Sequence, residues 1–125
     1  MARLELTCWL AGFADGEGHI RVKPGGGISF EITNSNHHVI DYIARVFNGT
    51  VRNARDSRKG RKGRNIRRVS WYGPNALTVL RSLLPHLHVK QAEANAVCAW
   101  ASTAPSERMP ASQFADLLKL MRRNK

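Results

Sequence analysis

The residues of this 125-residue chain that could do chemistry begin with a very basic segment between positions 52 and 68. Nine of its seventeen residues are Lys or Arg, almost half of the 20 in the chain. Against 9 Asp and Glu, the basic residues leave a net charge of +11 and a pI near 10.9. Clustered positive charge of this size attracts polyanions. The charge balance therefore predicts a nucleic-acid partner, ahead of an anionic membrane surface or an acidic protein.

A second group of reactive residues, the carboxylates of Asp15 and Glu17, follows a segment with helical periodicity. Its apolar face consists of Leu6, Trp9, Leu10 and Phe13. Another face carries a small residue at every fourth position, namely Cys8, Gly12 and Gly16. Because Gly in a helix costs about 1 kcal/mol relative to Ala, this face indicates close contact with a second backbone.

Polar and apolar residues alternate over positions 19–23 and 28–34, which predicts two β-strands. The intervening Pro24 to Gly27 can supply only a turn, so we expect an antiparallel hairpin. Its apolar face consists of Ile20, Val22, Ile28, Phe30 and Ile32. Its polar, partly basic face consists of Arg21, Lys23, Ser29, Glu31 and Thr33.

Helices and a second hairpin are predicted for the rest of the chain. An amphipathic helix over positions 37–47 is capped by Asn36 and stops at Asn48 and Gly49. Strands are expected near 50–56 and 66–72. Three further helices are predicted, one that opens at Gly73-Pro74-Asn75 and is ended by Pro85, one near 89–101 and one near 111–122. This order predicts an α+β fold in a single domain over residues 1–125.

The segment from Leu10 to Gly18, LAGFADGEG, resembles the LAGLIDADG motif of the homing-endonuclease family. Its first three positions, its first acid and its final Gly match. Residues 84–91, LPHLHVKQ, are similar to a second landmark of the family, a Leu-Pro turn followed by an active-site lysine. The resemblance covers nearly the whole chain. It implies the family's αββαββα fold, with an antiparallel DNA-binding sheet and C-terminal helices.

The resemblance also implies an active site for DNA cleavage. The last acid of the motif, here Glu17, is expected to bind Mg²⁺ or another divalent cation such as Mn²⁺, with the carbonyl of Gly16 as a further ligand. Such an ion offsets the negative charge that phosphodiester hydrolysis develops. Lys90 is expected to place a positive charge beside the reacting phosphate. Asn34 is expected to order water, although strand alternation aims it at the core side.

Members of the family carry either two copies of the motif in one chain or a single copy, in which case they form dimers. This chain has one copy, so we expect a homodimer that presents two acids at once to a roughly palindromic target. Asp15 is expected to be mainly structural. The predicted dimer interface consists of Cys8, Ala11, Gly12, Asp15 and Gly16.

The doubled sheet is expected to lie in the major groove of double-stranded DNA, which is wide enough for β-ribbons. Predicted base-reading residues are the polar face of the first hairpin and Arg52, Arg68, Ser70 and Tyr72. The other basic residues of the segment are also predicted to bind DNA, namely Arg55, Arg58, Lys59, Arg61, Lys62, Arg64 and Arg67. Those of the loop from Arg58 to Arg64 are expected to bind phosphates.

These expectations amount to a site-specific, metal-dependent endonuclease that makes a double-strand break. The alternative is a relative that binds without cleaving, an RNA-splicing cofactor (maturase) or a transcription regulator. Glu17 and Lys90 together favour the enzyme, because a protein that only binds has no reason to gather them.

Other classes of site and location find little support in the sequence. A zinc site is disfavoured, because no Cys pair has ligand spacing and His37 and His38 are adjacent. Cys8 and Cys98 are expected to be buried thiols, and all three Trp residues are expected in the core. No small-molecule cofactor and no membrane partner are expected. Without a membrane-length apolar run or a secretory signal, the protein is predicted to be intracellular.

Overall fold

A computed structural model describes residues 3–57, 59–60 and 62–123 of the chain. The elements follow the order α1 (Arg3–Glu17), β1 (Gly18–Val22), β2 (Ile28–Asn34), α2 (His37–Phe47), β3 (Thr50–Arg55), β4 (Asn65–Tyr72), α3 (Pro74–Leu83), a 3₁₀ turn (Leu84–His86), α4 (Gln91–Ser102) and α5 (Ala111–Arg123). The predicted α+β fold of αββαββα order with C-terminal helices is confirmed. None of the helices in the described ranges is long and apolar enough to cross a membrane.

The four strands form one antiparallel sheet in the order β1-β2-β4-β3. Both predicted hairpins are therefore present, and β2 and β4 lie side by side at the centre. The sheet has two unlike faces, as the alternation predicted. One face packs Ile20, Phe30, Ile32, Val69 and Trp71 against the helices, and each of these residues is at most 2% exposed.

The buried apolar residues form one continuous cluster between the sheet and the helices. On the helix side, its fully buried members include Leu10, Ile40, Ile43, Leu80 and Leu83. The opposite face of the sheet carries the polar side chains of the strands, so it is called the open face below. The fold thus leaves a polar surface of four strands available to a partner.

Helix α2 has the ends that the sequence predicts. The side-chain oxygen of Asn36 accepts a hydrogen bond from the backbone N–H of Val39 at 3.2 Å. At the other end Asn48 adopts a left-handed conformation with φ 58°. A Cβ on Gly49 would lie 2.4 Å from a methyl carbon of Val69, so only glycine lets α2 end directly against β4.

Two local expectations were wrong. Trp9 is 38% exposed, although its ring packs against Phe13 and Tyr42, so it is not a core residue. Cys8 is exposed, while Cys98 is buried as expected and its burial raises the pKa of the thiol. The α-helix before Pro85 ends at Leu83, as expected, and the chain continues into the 3₁₀ turn.

Candidate functional site

Glu17 stands where α1 passes into β1 without an intervening loop. The glycine that follows it, Gly18, makes this junction possible: a Cβ there would lie 2.6 Å from the carbonyl oxygen of Ala14 and 3.0 Å from the ring of Phe30. The half-buried side chain of Glu17 has no hydrogen bond or ion pair within the described ranges. The junction therefore fixes the position of Glu17 in the chain, and its carboxylate oxygens are available to a ligand.

Asp15 and Lys90 form a reciprocal clamp between the end of α1 and the start of α4. The Asp15 carboxylate accepts hydrogen bonds from the backbone N–H groups of His88 at 2.8 Å, Val89 at 3.0 Å and Lys90 at 3.0 Å. In return, Nζ of Lys90 donates to the backbone carbonyl of Asp15 at 2.8 Å. The clamp gives Asp15 a structural role and holds the Lys90 ammonium at a backbone carbonyl two positions before Glu17.

The oxygen atoms at the end of α1 suit a hard divalent cation but form only part of a site. Gly16 is exposed and lies in the last turn, where helix carbonyls lack intrahelical partners. Magnesium is commonly held by one or two carboxylates together with substrate phosphates and water. Within the described ranges no group of three or more His, Cys, Asp or Glu residues could hold a metal ion. The donor set therefore fits a cation shared with a second carboxylate and with phosphate oxygens.

Asn34 ends β2, two residues beyond Ile32, the strand partner of Gly18. It pairs with Arg67 on the helix-facing side of the sheet, where strand alternation had aimed it. Its side-chain oxygen accepts a hydrogen bond from the backbone N–H of Asn36 at 2.8 Å, in the tight turn before α2. This contact engages the amide oxygen only, and the water-ordering role of Asn34 stays a prediction.

The open face brings charged residues of β1, β2 and β4 together beside Glu17. Glu31 lies between two guanidinium groups, 3.6 Å from Arg21 and 3.8 Å from Arg68. The same residues and Glu17 line a cavity of about 320 Å³. Arg52 lies opposite Arg68 on β3 and extends the face to the far edge of the sheet. Glu17 thus adjoins a continuous surface of charged side chains, on which Glu31 pairs with two arginines.

A second exposed surface runs along α1. A Cβ added to Gly12 or Gly16 would meet nothing within 4 Å, so neither glycine is explained by contacts within the chain. Cys8 shares this exposed surface, and its sulfur lies 3.6 Å from Nδ1 of His86. Ala11, by contrast, is 0% exposed and packs into the chain's own core. The glycine face is therefore open to a partner, whereas Ala11 has no surface to offer one.

The fold has counterparts among solved structures, whereas no family model and no curated protein matches the sequence. The homing endonuclease I-CvuI in complex with the I-CreI target and Mg²⁺ matches with a TM-score of 0.71 and 26% identity, over 94% of this chain and 82% of that one. A second I-CvuI complex, with its own target and Ca²⁺, gives the same values. The archaeal intron-encoded homing endonuclease I-Vdi141I, complexed with DNA, matches over 78% of this chain and 67% of that one, with a TM-score of 0.58 and 16% identity.

The chain thus has the fold of the LAGLIDADG homing endonucleases and resembles them over 94% of its length. Its LAGLIDADG-like segment, Leu10 to Gly18, supplies both the open glycine face and the terminal acid. The second family landmark, residues 84–91, meets the motif through the clamp between Asp15 and Lys90. Two segments far apart in the sequence are thereby joined at one end of α1.

Several of the residues predicted to contact DNA have other surroundings than expected. Ser29 and Ser70 are on the open face but only 5% and 4% exposed. Arg67 points to the helix side, where it binds both oxygens of Asp41 at 2.7 Å. Arg55 donates to the carbonyl of Gly63 at 2.9 Å and so ties the base of its loop.

The other predicted DNA contacts are distributed over the open face and the loop between β3 and β4. Thr33 is half-buried opposite Arg68. The exposed ones are Arg21, Lys23, Arg52, Lys59, Lys62, Arg64 and Tyr72. Arg58 and Arg61 lie outside the described residues. Sequence reasoning missed His19, although it stands two positions before Arg21 on the same face and lies opposite Glu31.

His19 should make the stability of the protein depend on pH. Burial lowers its pKa from 6.5, and the positive charges of Arg122 and Arg21 lower it further, against Glu31 and Glu93. Just below pH 6.5 the unfolded chain therefore binds a proton that the folded chain does not, so stability falls as the pH drops. Chemical denaturation on either side of this pH should show a smaller drop for His19→Gln than for the parent protein. The exposed His38, changed to Gln, is the control, and equal drops in both variants would contradict the assignment.

Proposed function

We propose that this protein is a site-specific DNA endonuclease that acts as a homodimer and makes a metal-dependent double-strand break in a long, roughly palindromic duplex. The observation that carries the proposal is the position of Glu17. Its carboxylate stands at the end of a helix with an unpartnered glycine face and next to a charged, open sheet. The DNA-bound homing endonucleases with the same fold support it.

The glycine face of α1 supports the proposed homodimer. Two copies of α1 that meet along Gly12 and Gly16 can approach closely, because neither residue carries a side chain. A two-fold axis would then bring together the two Glu17 carboxylates, one for each strand of the duplex. The interface proposed here consists of Cys8, Gly12 and Gly16, together with the exposed Trp9, and omits Ala11 and Asp15.

The pair of Glu17 carboxylates, with the carbonyl of Gly16, would hold Mg²⁺ or a similar divalent cation between the scissile phosphates. When bound, such a cation lowers the pKa of a water and offsets charge on the phosphate oxygens. Lys90 adds a positive charge at the end of α1, where its ammonium holds the carbonyl of Asp15. That charge would stabilise the negative charge that develops on the phosphate.

DNA recognition is proposed for the open face of the sheet. Arg21, Arg68 and Arg52 carry guanidinium groups suited to guanine edges in the major groove, and Glu31 can accept from a cytosine amino group. The pairing of Glu31 with both Arg21 and Arg68 would fix these side chains before DNA arrives. Lys59, Lys62 and Arg64, exposed in the loop, would bind phosphates and add affinity without specificity.

Selection of binding sites from randomised duplexes, followed by mapping of cleavage with and without Mg²⁺, tests the proposal directly. We expect enrichment of a roughly palindromic site and a break in both strands only when the cation is present. A selected site that stays intact with Mg²⁺ would instead identify a binding protein without nuclease activity. No enrichment of any sequence would contradict site-specific binding altogether.

A further inference from the structure

A groove beside the open face has no role in the function proposed above. It lies where α5 packs against β1, the edge strand of the sheet, and encloses about 440 Å³. Arg21 and Lys23 line it from β1, and Lys119 and Arg122 line it from α5. The only carboxylate among the described lining residues is that of Asp116. The groove is therefore predominantly cationic.

The groove owes its shape to a buried anchor under α5. The Nε atom of Arg122 lies 3.2 Å from a carboxylate oxygen of Glu93, whose side chain is 4% exposed. Another guanidinium nitrogen of Arg122 donates to the backbone carbonyl of Ile20 in β1. These contacts fix α5 to the edge strand, so the groove is preformed. Ser112, Ala115, Lys119 and Arg122 recur at the spacing of one helix face and line it together.

His19 also lines the groove, between Arg21 of β1 and Arg122 of α5. The four cationic side chains and the fixed position of α5 together indicate a site for negative charge.

We propose that the groove binds a phosphodiester group of the DNA backbone beyond the edge of the sheet. The inference rests on the DNA binding proposed above and extends it to α5, which sequence reasoning left out. Arg21 and Lys23 belong both to the polar face of β1 and to the groove, so a duplex on the open face that continues across the β1 edge meets Lys119 next. The cavity is more than ten times the roughly 30 Å³ that a water molecule occupies in the liquid, which leaves room for a phosphate and its remaining water.

Lys119→Ala tests this inference because Lys119 is exposed, has no described ion pair and is not needed for the buried anchor. Binding to the selected duplex and to an unrelated duplex should be measured against salt concentration, with Ca²⁺ in place of Mg²⁺. Removal of one phosphate-binding side chain should make the slope of log K against log salt shallower by about 0.9, hence by about 1.8 for a dimer. Affinity for both duplexes should fall by the same factor, because a phosphate contact carries no sequence information.

Arg45→Ala is the matched control, since Arg45 is exposed on α2 and stacks over Tyr42, away from the groove. Lys119→Arg should keep the parent slope. A Lys119→Ala slope equal to that of Arg45→Ala would overturn the inference, and so would a weakening confined to the selected duplex. Failure of the parent protein to bind any duplex would overturn the proposed function as well, whereas failure to cut bound DNA would leave the groove intact as a phosphate site.

Discussion

Glu17→Gln is expected to bind the selected DNA as tightly as the parent protein and to cut it on the order of a thousandfold more slowly. Glutamine keeps the size and shape of the side chain but removes the negative charge that would hold a divalent cation. The carboxylate has no hydrogen bond or ion pair among the described residues, so its loss should leave the fold unchanged. Removal of a negative charge next to phosphates should, if anything, strengthen binding without metal.

The measurement is a single-turnover cleavage rate with Mg²⁺, alongside binding in Ca²⁺. Glu107→Gln makes the same change of charge at an exposed position beyond α4 and should cut at the parent rate. Normal cutting by Glu17→Gln would remove the central observation of the proposed mechanism. Equal loss of binding and cutting would point to a structural role for Glu17 instead.

Gly16→Arg is expected to convert the dimer to monomers without unfolding them. Within one chain, a Cβ at this position would meet nothing within 4 Å, and the residue is exposed, so the arginine side chain can extend into solvent. Across a two-fold axis, the added side chain would overlap with its copy in the partner, and the two positive charges would repel each other. Sedimentation velocity should therefore show a mass near 14.0 kDa, the mass of one chain, and circular dichroism should show a folded protein.

Two variants sharpen this experiment. Gly25→Arg adds the same side chain at an exposed glycine in the turn between β1 and β2, and it should remain dimeric. Gly12→Ala should stabilise an isolated chain by about 1 kcal/mol through helix propensity and yet weaken the dimer. If Gly16→Arg stays dimeric, the two chains meet elsewhere and the pairing of the carboxylates no longer explains cleavage of both strands.

Much of the fold could be predicted because each hairpin and helix has a clear period. The bounds of α2 match the prediction at both ends, since Asn36 and Asn48 act through local hydrogen bonds that a sequence displays directly. Strand alternation likewise placed Ile20, Phe30 and Ile32 in the core. These features depend on near neighbours in the chain, which is why no structure was needed to find them.

The faces of α1 were harder to predict, because small residues serve two purposes on it. Ala11 and Ala14 are 0% exposed and let the helix lie close to its own core, whereas Gly12 and Gly16 are exposed. The sequence alone does not distinguish a close approach within the chain from one to a partner. A structural role was expected for Asp15, but its partners were equally hidden, because its three hydrogen-bond donors lie more than seventy residues away.

The direct passage from α1 into β1 means that the residue proposed to cut DNA and the strand proposed to read it share one stiff stretch of backbone. The backbone at Gly18 is closely packed, since even a methyl group there would collide with Ala14 and Phe30. A duplex that fits β1 poorly would therefore shift the carboxylate of Glu17 along with His19 and Arg21. In such an arrangement, sequence specificity would act at the cleavage step as well as at the binding step. A duplex of the wrong sequence could then bind to the protein without being cleaved.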